Sequence, residues 1–250
     1  KSPIENGTGT IVDHADVRRM LAVMKAEIFA ARAIALSCAV SIDMHSATGD
    51  GAWQSRAAFL TPIAKAYGTD IGHEVSHMGI QVHGGMGFIE ETGAAQFARD
   101  VRVTSIYEGT NGIQAMDLVA RKLMDGGEAA YRLLEEIEQT AESAREDYPN
   151  MTDNIWAAAE TLREGVEWLL EQKDMNDRFA GAVPFLRAFA RVLGAHFHLK
   201  AAIAEDGEGA RTKLARVYVK RLLPEHAALL EHMREGAEGL YALSIEDLSA

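Results

Sequence analysis

Apolar residues recur at three- and four-residue intervals along most of this 250-residue chain, and this periodicity restricts the fold more than any other feature. A clear example is the series Val17, Met20, Leu21, Met24 and Ile28. Residues at this spacing share one face of a helix that has about 3.6 residues per turn. Because most of the chain follows this pattern and no convincing β-hairpin interrupts it, the sequence predicts an all-α fold.

Clusters of glycine, proline and aspartate divide the periodic segments and predict where helices end. The first helix is predicted to start near Val12 and to stop in the segment 48–51, Thr-Gly-Asp-Gly. The second is predicted over 53–81. It contains Pro62, which either kinks this helix or marks its true first turn.

The sequence predicts shorter secondary-structure elements in the middle of the chain. A short helix is expected over 94–100, and the β-branched run 101–106 fits either an extended or a helical segment. A third long helix is predicted over 112–124, with Thr110 or Asn111 as its N-cap.

The segment Asp125-Gly126-Gly127 is the best candidate for a domain boundary. After it, Thr152 or Asp153 is the predicted N-cap of one helix. Four helical segments are predicted in this half, at 128–147, 155–172, 177–204 and 211–233. We therefore predict an up-and-down helical bundle over residues 1–124 and a second helical bundle, suited to packing or association, over 125–250.

The composition of the chain argues against several classes of function. With a net charge of -12, the chain should repel phosphate backbones, so nucleic-acid binding is not expected. The single cysteine, Cys38, excludes an internal disulfide and fits a reducing, cytoplasmic compartment. The most apolar run, 28–42, is shorter than the roughly 20 residues that span a bilayer, so no membrane span is expected. A start at Lys1 without a methionine suggests a fragment or a processed product.

One short motif could bind zinc. The sequence His73-Glu74-Val75-Ser76-His77 matches H-E-x-x-H, in which two histidines one turn apart bind the metal and the glutamate activates water. His83 lies where an extended motif has its third ligand. The alternative is a helix with two surface histidines, because nine histidines make a chance match common.

A second motif is glycine-rich. Gln81-Val82-His83 is followed by Gly84-Gly85-Met86-Gly87. Glycines after a helix let the backbone approach a ligand closely, and their N–H groups can bind a phosphate. The alternative is that these glycines only turn the chain.

The third candidate is Glu108, in Tyr107-Glu108-Gly109-Thr110. A carboxylate that faces an apolar cavity is a usable general base near neutral pH. The alternative is a carboxylate that stabilises the positive end of the third helix's dipole.

Several elements follow one another in a specific order. They are Gln-Val-His-Gly-Gly-x-Gly-Phe from Gln81, Arg99-Asp100, Ile-Tyr-Glu-Gly-Thr-Asn over 106–111, and Ile113-Gln114. In this order and spacing they resemble the C-terminal domain of acyl-CoA dehydrogenases, over about residues 10–124. The later half is similar to the extra helical domain of the larger members. The sequence of residues 110–118 most resembles that of the branch that acts on 3-methylmercaptopropionyl-CoA.

The resemblance implies an enzyme that oxidises acyl-CoA thioesters with FAD. Glu108 would remove the α-proton while the β-hydrogen leaves as hydride to the flavin. The backbone N–H of Glu108 would help to hold the thioester carbonyl, and Gly109 would lie against the substrate.

The resemblance also assigns cofactor-binding residues. Thr110, Asn111 and Gly112 would contact the phosphate–ribose portion of the flavin. Another set would reach the adenosine-pyrophosphate part of FAD held by a neighbouring subunit, so a homodimer or a dimer of dimers is implied. This set is Gln81, Val82, His83, Gly84 and Gly85. Electron-transfer flavoprotein is the implied electron acceptor.

The sequence departs from the family pattern at two positions. Gly112 stands where glutamate or glutamine is common, and Ala115 replaces a common arginine after the Ile-Gln pair. Family members also carry an N-terminal helical domain and a middle β domain, and nothing here resembles either. We therefore expect this chain to be the C-terminal part of a longer enzyme, to bind FAD weakly or not at all alone, and not to turn over alone.

Two other functions remain as alternatives. A zinc hydrolase centred on His73, Glu74 and His77 would leave the segment 81–114 unexplained. A non-catalytic helical scaffold fits residues 128–250 better than the first half. Only the dehydrogenase interpretation accounts for Glu108 together with both glycine-rich turns.

Overall fold

The computed structural model describes residues 3–249, which contain helices and turns and no β-strand. The all-α prediction is therefore confirmed for this part of the chain. The first two residues of the predicted domain 1–124 and the last residue of 125–250 lie outside the described residues. The helices are α1 (Ala15–Thr48), α2 (Gly51–His83), α3 (Gly85–Phe88), α4 (Ala94–Arg102), α5 (Asn111–Ala120), α6 (Glu128–Ser143), α7 (Pro149–Glu171), α8 (Met175–Ala180), α9 (Ala182–Glu205), α10 (Ala210–Arg221), α11 (Glu225–Arg234), α12 (Glu238–Tyr241) and α13 (Ile245–Ser249).

The long antiparallel pair α1 and α2 forms the wall on which the candidate site lies. Gly49 ends α1 in the left-handed region at φ 71°, a conformation that glycine adopts without a steric penalty. Asp50 then caps α2, because its Oδ1 accepts from the N–H of Ala52 at 2.8 Å. Pro62 lies well inside α2, which excludes the alternative that it marks the first turn.

The segments around the glycine-rich turns are all short and helical. The short helix predicted over 94–100 is confirmed as α4. The undecided run 101–106 completes α4 and continues into a 3-10 turn over Val103–Ser105. These elements pack against α2, so the segment between α2 and α5 lies along one side of that helix.

Three predictions in the second half are wrong in detail. Helix α7 begins at Pro149, where a missing N–H is tolerated. Thr152 is therefore buried inside the helix, and neither it nor Asp153 is the cap. The predicted helix 177–204 is interrupted at Gly181, where a Cβ would lie 2.7 Å from Cγ of Met233. The predicted helix 211–233 is interrupted before Glu225, next to Pro224.

Helix α9 lies at the centre of the molecule. Its residues 188–196 are all buried, as expected for a helix surrounded by others. It contacts α1, α2 and α5 of the first half as well as α7, α10 and α11 of the second. Phe59 of α2 meets Phe189 of α9 edge to face, with ring centroids 4.9 Å apart. One apolar core thus crosses residue 124, and the division into domains 1–124 and 125–250 stays a prediction.

A buried polar network accompanies this core. Arg191 of α9 donates to Glu27 of α1, to Tyr67 of α2 and to Glu225 of α11. One turn earlier, Arg187 pairs with Glu225 and with Glu74 of α2. These charge-assisted bonds fix α9 in register with α2, the helix that supports the candidate site.

Within residues 3–249, no helix is both long and apolar enough to cross a lipid bilayer.

Candidate functional site

Glu108 lies in a strained turn between the 3-10 turn at Val103–Ser105 and helix α5. Its φ is 54° and that of Gly109 is 84°. A side chain other than glycine is uncommon in the left-handed region. Such a residue costs on the order of 1–3 kcal/mol and persists only where its surroundings hold it.

Two side chains hold this turn by its carbonyl oxygens. Gln114 of α5 donates from Nε2 to the carbonyl oxygen of Glu108 at 3.1 Å. Lys65 of α2 donates from Nζ to that of Gly109 at 2.7 Å. Thr110 follows as the N-cap of α5, because its Oγ1 accepts from the N–H of Ile113. The alternative caps Thr110 and Asn111 are thereby resolved in favour of Thr110.

The Asn111 side chain faces α2. Its Nδ2 donates to Asp70 at 2.6 Å and to the Thr69 hydroxyl at 2.9 Å, and its Oδ1 accepts from Lys65 at 2.9 Å. Burial raises the pKa of Asp70, while the bond from Asn111 and the nearby Arg187 oppose that shift. These bonds occupy the Asn111 side chain.

The Glu108 side chain is exposed. Its neighbours Ile106, Tyr107 and Ile113 are each more than half exposed. Within residues 3–249 the carboxylate is therefore not enclosed in an apolar cavity. It also lies two residues before the N-cap of α5, so the helix-dipole alternative is compatible with the geometry.

The glycine-rich segment begins where α2 ends. Gln81, His83, Gly84 and Gly85 are exposed and Val82 is half-buried. Gly84 has φ 61°, and a Cβ at Gly84 or Gly85 would meet no atom within 4 Å. Accessible glycine backbone beside amide and imidazole donors suits a phosphate group.

Gly87 has a different role from the two glycines before it. It is buried, and a Cβ there would lie 2.2 Å from the carbonyl oxygen of Ile80. Gly87 therefore permits close packing, a role that the sequence did not predict for it. Gly84 and Gly85 remain open to a ligand.

An apolar surface adjoins this segment. Phe88 is 82% exposed and Phe97 is 73% exposed, with Met86 also on the surface. Between α2 and α4 lies a groove of about 450 Å³, lined by Val75 and Phe97 among others. Large exposed apolar patches on a protein mark surfaces that another molecule covers.

Two family models match successive parts of this chain. Residues 3–124 match the family model described as "Acyl-CoA dehydrogenase, C-terminal domain". Residues 133–244 match the one described as "Acetyl-CoA dehydrogenase C-terminal like". The chain belongs to the acyl-CoA dehydrogenase family. It is similar to 3-methylmercaptopropionyl-CoA dehydrogenase of Ruegeria pomeroyi, with 37% identity over 90% of this chain and 41% of the relative.

Two solved structures share the fold of this acyl-CoA dehydrogenase chain. Caenorhabditis elegans ACDH-11, in complex with C11-CoA, has a TM-score of 0.70 at 18% identity, covering 86% of this chain and 37% of that one. An acyl-CoA dehydrogenase from Bacillus anthracis, complexed with FAD, has a TM-score of 0.63 at 17% identity, covering 98% and 45%. The chain spans about two-fifths of the length of the curated relatives that it matches.

The two departures from the acyl-CoA dehydrogenase pattern lie in different surroundings. Gly112 is half-buried, and a Cβ there would meet only Oγ1 of Thr110, at 4.0 Å. Ala115 is 1% exposed and belongs to the core. An arginine at position 115 would therefore need a different packing of α5, so the smaller residue is consistent with the core around α9.

The structure gives the zinc alternative no support. Glu74, the residue that would activate water, is paired with Arg187 at 2.6 Å. His77 and His83 each bond the carbonyl oxygen one helical turn earlier. Among residues 3–249, no group of three or more histidine, cysteine or acidic side chains could hold a metal ion. The bonds of Glu74 and His77 fit the alternative of a chance match on a helix better than a zinc site.

Lys65 and Asp70 were not identified from the sequence, and Gln114 was identified only as part of the family motif, although all three contribute to holding the Glu108 turn. Lys65 and Asp70 lie on one face of α2 with Thr69, and this spacing is visible in the sequence. The partners of these side chains are not visible in the sequence, because Lys65 bonds a residue 44 positions away. The roles predicted for Glu108, Gly109 and the cofactor-binding residues stay predictions.

Proposed function

We propose that this chain carries the catalytic base of a flavin-dependent acyl-CoA dehydrogenase, and that Glu108 is that base. The observation that carries the proposal is the left-handed conformation of Glu108, held by Lys65 and Gln114 through neighbouring carbonyl oxygens. A non-glycine residue in such a conformation is typical of functional sites. The family membership supplies the reaction class.

In the proposed reaction the Glu108 carboxylate takes the α-proton of an acyl-CoA thioester. When bound, FAD supplies the acceptor for the hydride that leaves the β-carbon. Loss of the proton and the hydride leaves a double bond between the α- and β-carbons. The backbone N–H of Glu108 donates to the thioester carbonyl oxygen, where negative charge develops. Gly109, which has no side chain, lies against the substrate.

The proposed cofactor site has two parts. Thr110, Asn111 and Gly112 contact the phosphate–ribose portion of the flavin, with Asn111 acting through its backbone. The segment Gln81 to Gly85 holds the adenosine-pyrophosphate part. The open backbone at Gly84 and Gly85 fits a phosphate group, which supports this assignment.

We also propose that the enzyme is a homodimer or a dimer of dimers, because the adenosine part of FAD comes from a neighbouring subunit. The exposed Phe88 and Phe97 support this, since they form an apolar surface next to the proposed FAD segment. Electron-transfer flavoprotein is the proposed electron acceptor. The 250 residues alone are expected not to turn over, because the rest of the enzyme supplies part of the site.

The substrate is proposed as an acyl-CoA, without an assigned chain. The relative and the solved structure named above concern 3-methylmercaptopropionyl-CoA and C11-CoA, so short sulfur-containing and longer hydrocarbon chains both belong in a test.

The test uses the full-length protein. Its visible absorption spectrum is recorded before and after anaerobic addition of a panel of acyl-CoAs, and its zinc content is measured. Flavin bands that bleach with at least one acyl-CoA are the expected result. A colourless protein, or a flavin that no acyl-CoA bleaches, would refute the proposed function, and about one zinc per chain would revive the alternative at His73, Glu74 and His77.

A further inference from the structure

The turn that carries Glu108 is attached to α2 by a compact set of hydrogen bonds. We infer that Lys65 and Asn111 are positioning residues for the Glu108 carboxylate, an inference that rests on the proposed function. Neither needs to touch the substrate for this role. They act on the backbone that determines where the carboxylate points.

Lys65 makes the most direct of these contacts. Its side chain is half-buried, and its ammonium group directs two of its three N–H donors to this turn. One goes to the Gly109 carbonyl oxygen at 2.7 Å and the other to Oδ1 of Asn111 at 2.9 Å. Bonds from a charged donor are about twice as strong as neutral ones. Lys65 therefore connects the peptide after Glu108 to a helix in the core.

Asn111 completes the attachment from the other side of the turn. Its Nδ2 donates to Asp70 at 2.6 Å and to the carbonyl oxygen of Ala66 at 3.2 Å. The start of α5 is thus held against α2 independently of Lys65. Asp70 is in turn close to Arg187 of α9, since both line a small enclosed void of about 80 Å³ between α2, α5 and α9.

This arrangement accounts for the strained backbone. Glu108, a non-glycine residue at φ 54°, would be free to relax if the neighbouring carbonyl oxygen of Gly109 were released by Lys65. Relaxation would move the carboxylate relative to the α-carbon of the substrate. A misplacement of about 1 Å lowers a rate by roughly 100-fold. The hydrogen bonds from Lys65 and Asn111 to this turn and to α2 should therefore affect the rate of proton removal more than the affinity for the substrate.

The experiment measures flavin bleaching by stopped flow in the full-length enzyme with an acyl-CoA that bleaches the wild type. Lys65→Met should lower the limiting bleaching rate by roughly 10- to 100-fold, with a substrate dissociation constant within about twofold of wild type. Lys65→Arg, which keeps a charged donor, should recover most of the rate. Lys213→Met, at an exposed lysine of α10, is the matched control and should bleach normally.

Lys65→Gln and Asn111→Ala serve as further variants if Lys65→Met does not fold. A normal limiting rate in the folded Lys65 and Asn111 variants would overturn the inference, as would failure of Lys65→Arg to recover the rate. Glu108→Gln is measured alongside them. If it bleaches at the wild-type rate, the proposed function has failed. If it is inert while the Lys65 variants are normal, only the positioning inference has failed.

Discussion

Arg191 and Glu27 form an ion pair inside the core, with 2.5 Å between Nη1 and Oε1 and with side chains that are 2% and 1% exposed. The pair connects α9, at the centre of the molecule, to α1. Tyr67 bonds both partners through its hydroxyl group, and Glu225 receives the second donor of Arg191. Each of these two buried charges is therefore stabilised by the other, because little water reaches the site.

Arg191→Met is expected to destabilise the fold by about 3–5 kcal/mol, because it leaves the buried Glu27 carboxylate without its partner. Urea unfolding followed by circular dichroism measures the change. The double variant Arg191→Met with Glu27→Met should be more stable than Arg191→Met alone. Arg132→Met, which removes an exposed pair with Glu128, is the control and should change stability by less than about 1 kcal/mol. An Arg191→Met variant as stable as that control would contradict this account.

Gly194 marks the closest approach between α9 and its neighbours. A Cβ at this position would lie 2.2 Å from the hydroxyl oxygen of Tyr218 and 3.0 Å from Cβ of Ala30. Tyr218 is fully buried, so it cannot move away without disturbing the core.

Gly194→Ala is therefore expected to lower stability by about 1–3 kcal/mol through overpacking. The matched control is Gly68→Ala in α2, where a Cβ would meet no atom within 4 Å. That change should be neutral or stabilising by up to about 1 kcal/mol, because alanine favours helix over glycine. Thermal unfolding of both variants tests the prediction, and equal melting temperatures would show that α1, α9 and α10 do not meet this closely.

The burial of His198 leads us to predict how the free energy of unfolding depends on pH. Its ring lies between Phe29 and Tyr218, with centroids 4.6 Å from each, and its Nε2 bonds the carbonyl oxygen of Ala26. Burial lowers the pKa of His198 from 6.5 to about 4. As the pH falls from 7 to 4, the unfolded chain takes up a proton at this residue from about pH 6.5, whereas the folded chain begins to do so only as the pH approaches 4. The free energy of unfolding therefore falls by about 3 kcal/mol from this residue alone.

His198→Gln should reduce that fall between pH 6.5 and pH 4, even if the variant is less stable at pH 7. Urea unfolding across this pH range measures it. Burial also lowers the pKa of His196 and of His226, so part of the slope should remain in the variant. Replacing the exposed His77 by glutamine is the control. If His198→Gln and the control follow the same slope as wild type, His198 is not buried in its neutral form.

Local chemistry made much of the fold predictable from the sequence. The end of α1 followed from Thr-Gly-Asp-Gly, and the cap of α5 was narrowed to Thr110 or Asn111, because such ends depend on residues within one turn. The start of α2 was predicted two residues late, at 53, although Asp50 caps a helix that begins at Gly51. The break at Gly181 could not be predicted in this way. It depends on Met233, which is distant in sequence and packs against it.

The candidate site shows the same division. The sequence indicated Glu108 and the segment Gln81 to Gly85, because glycine next to polar residues at a helix end is a local signal. It did not reveal that Lys65 and Asn111 hold this turn against α2. The acceptors of a lysine side chain cannot be read from the sequence when they lie far away along the chain. It also left the surroundings of Glu108 open, and these prove exposed within the described chain.

The most direct test of the central claim is the rate at which an acyl-CoA bleaches the flavin of the full-length enzyme when Glu108 is replaced by glutamine. Glutamine keeps the size and the hydrogen-bonding capacity of the side chain but cannot accept the α-proton. The account predicts a rate lowered by at least about 100-fold, as for loss of a general base, with FAD content and melting temperature close to those of the wild type. Bleaching of Glu108→Gln at the wild-type rate would contradict the assignment of Glu108 as the base.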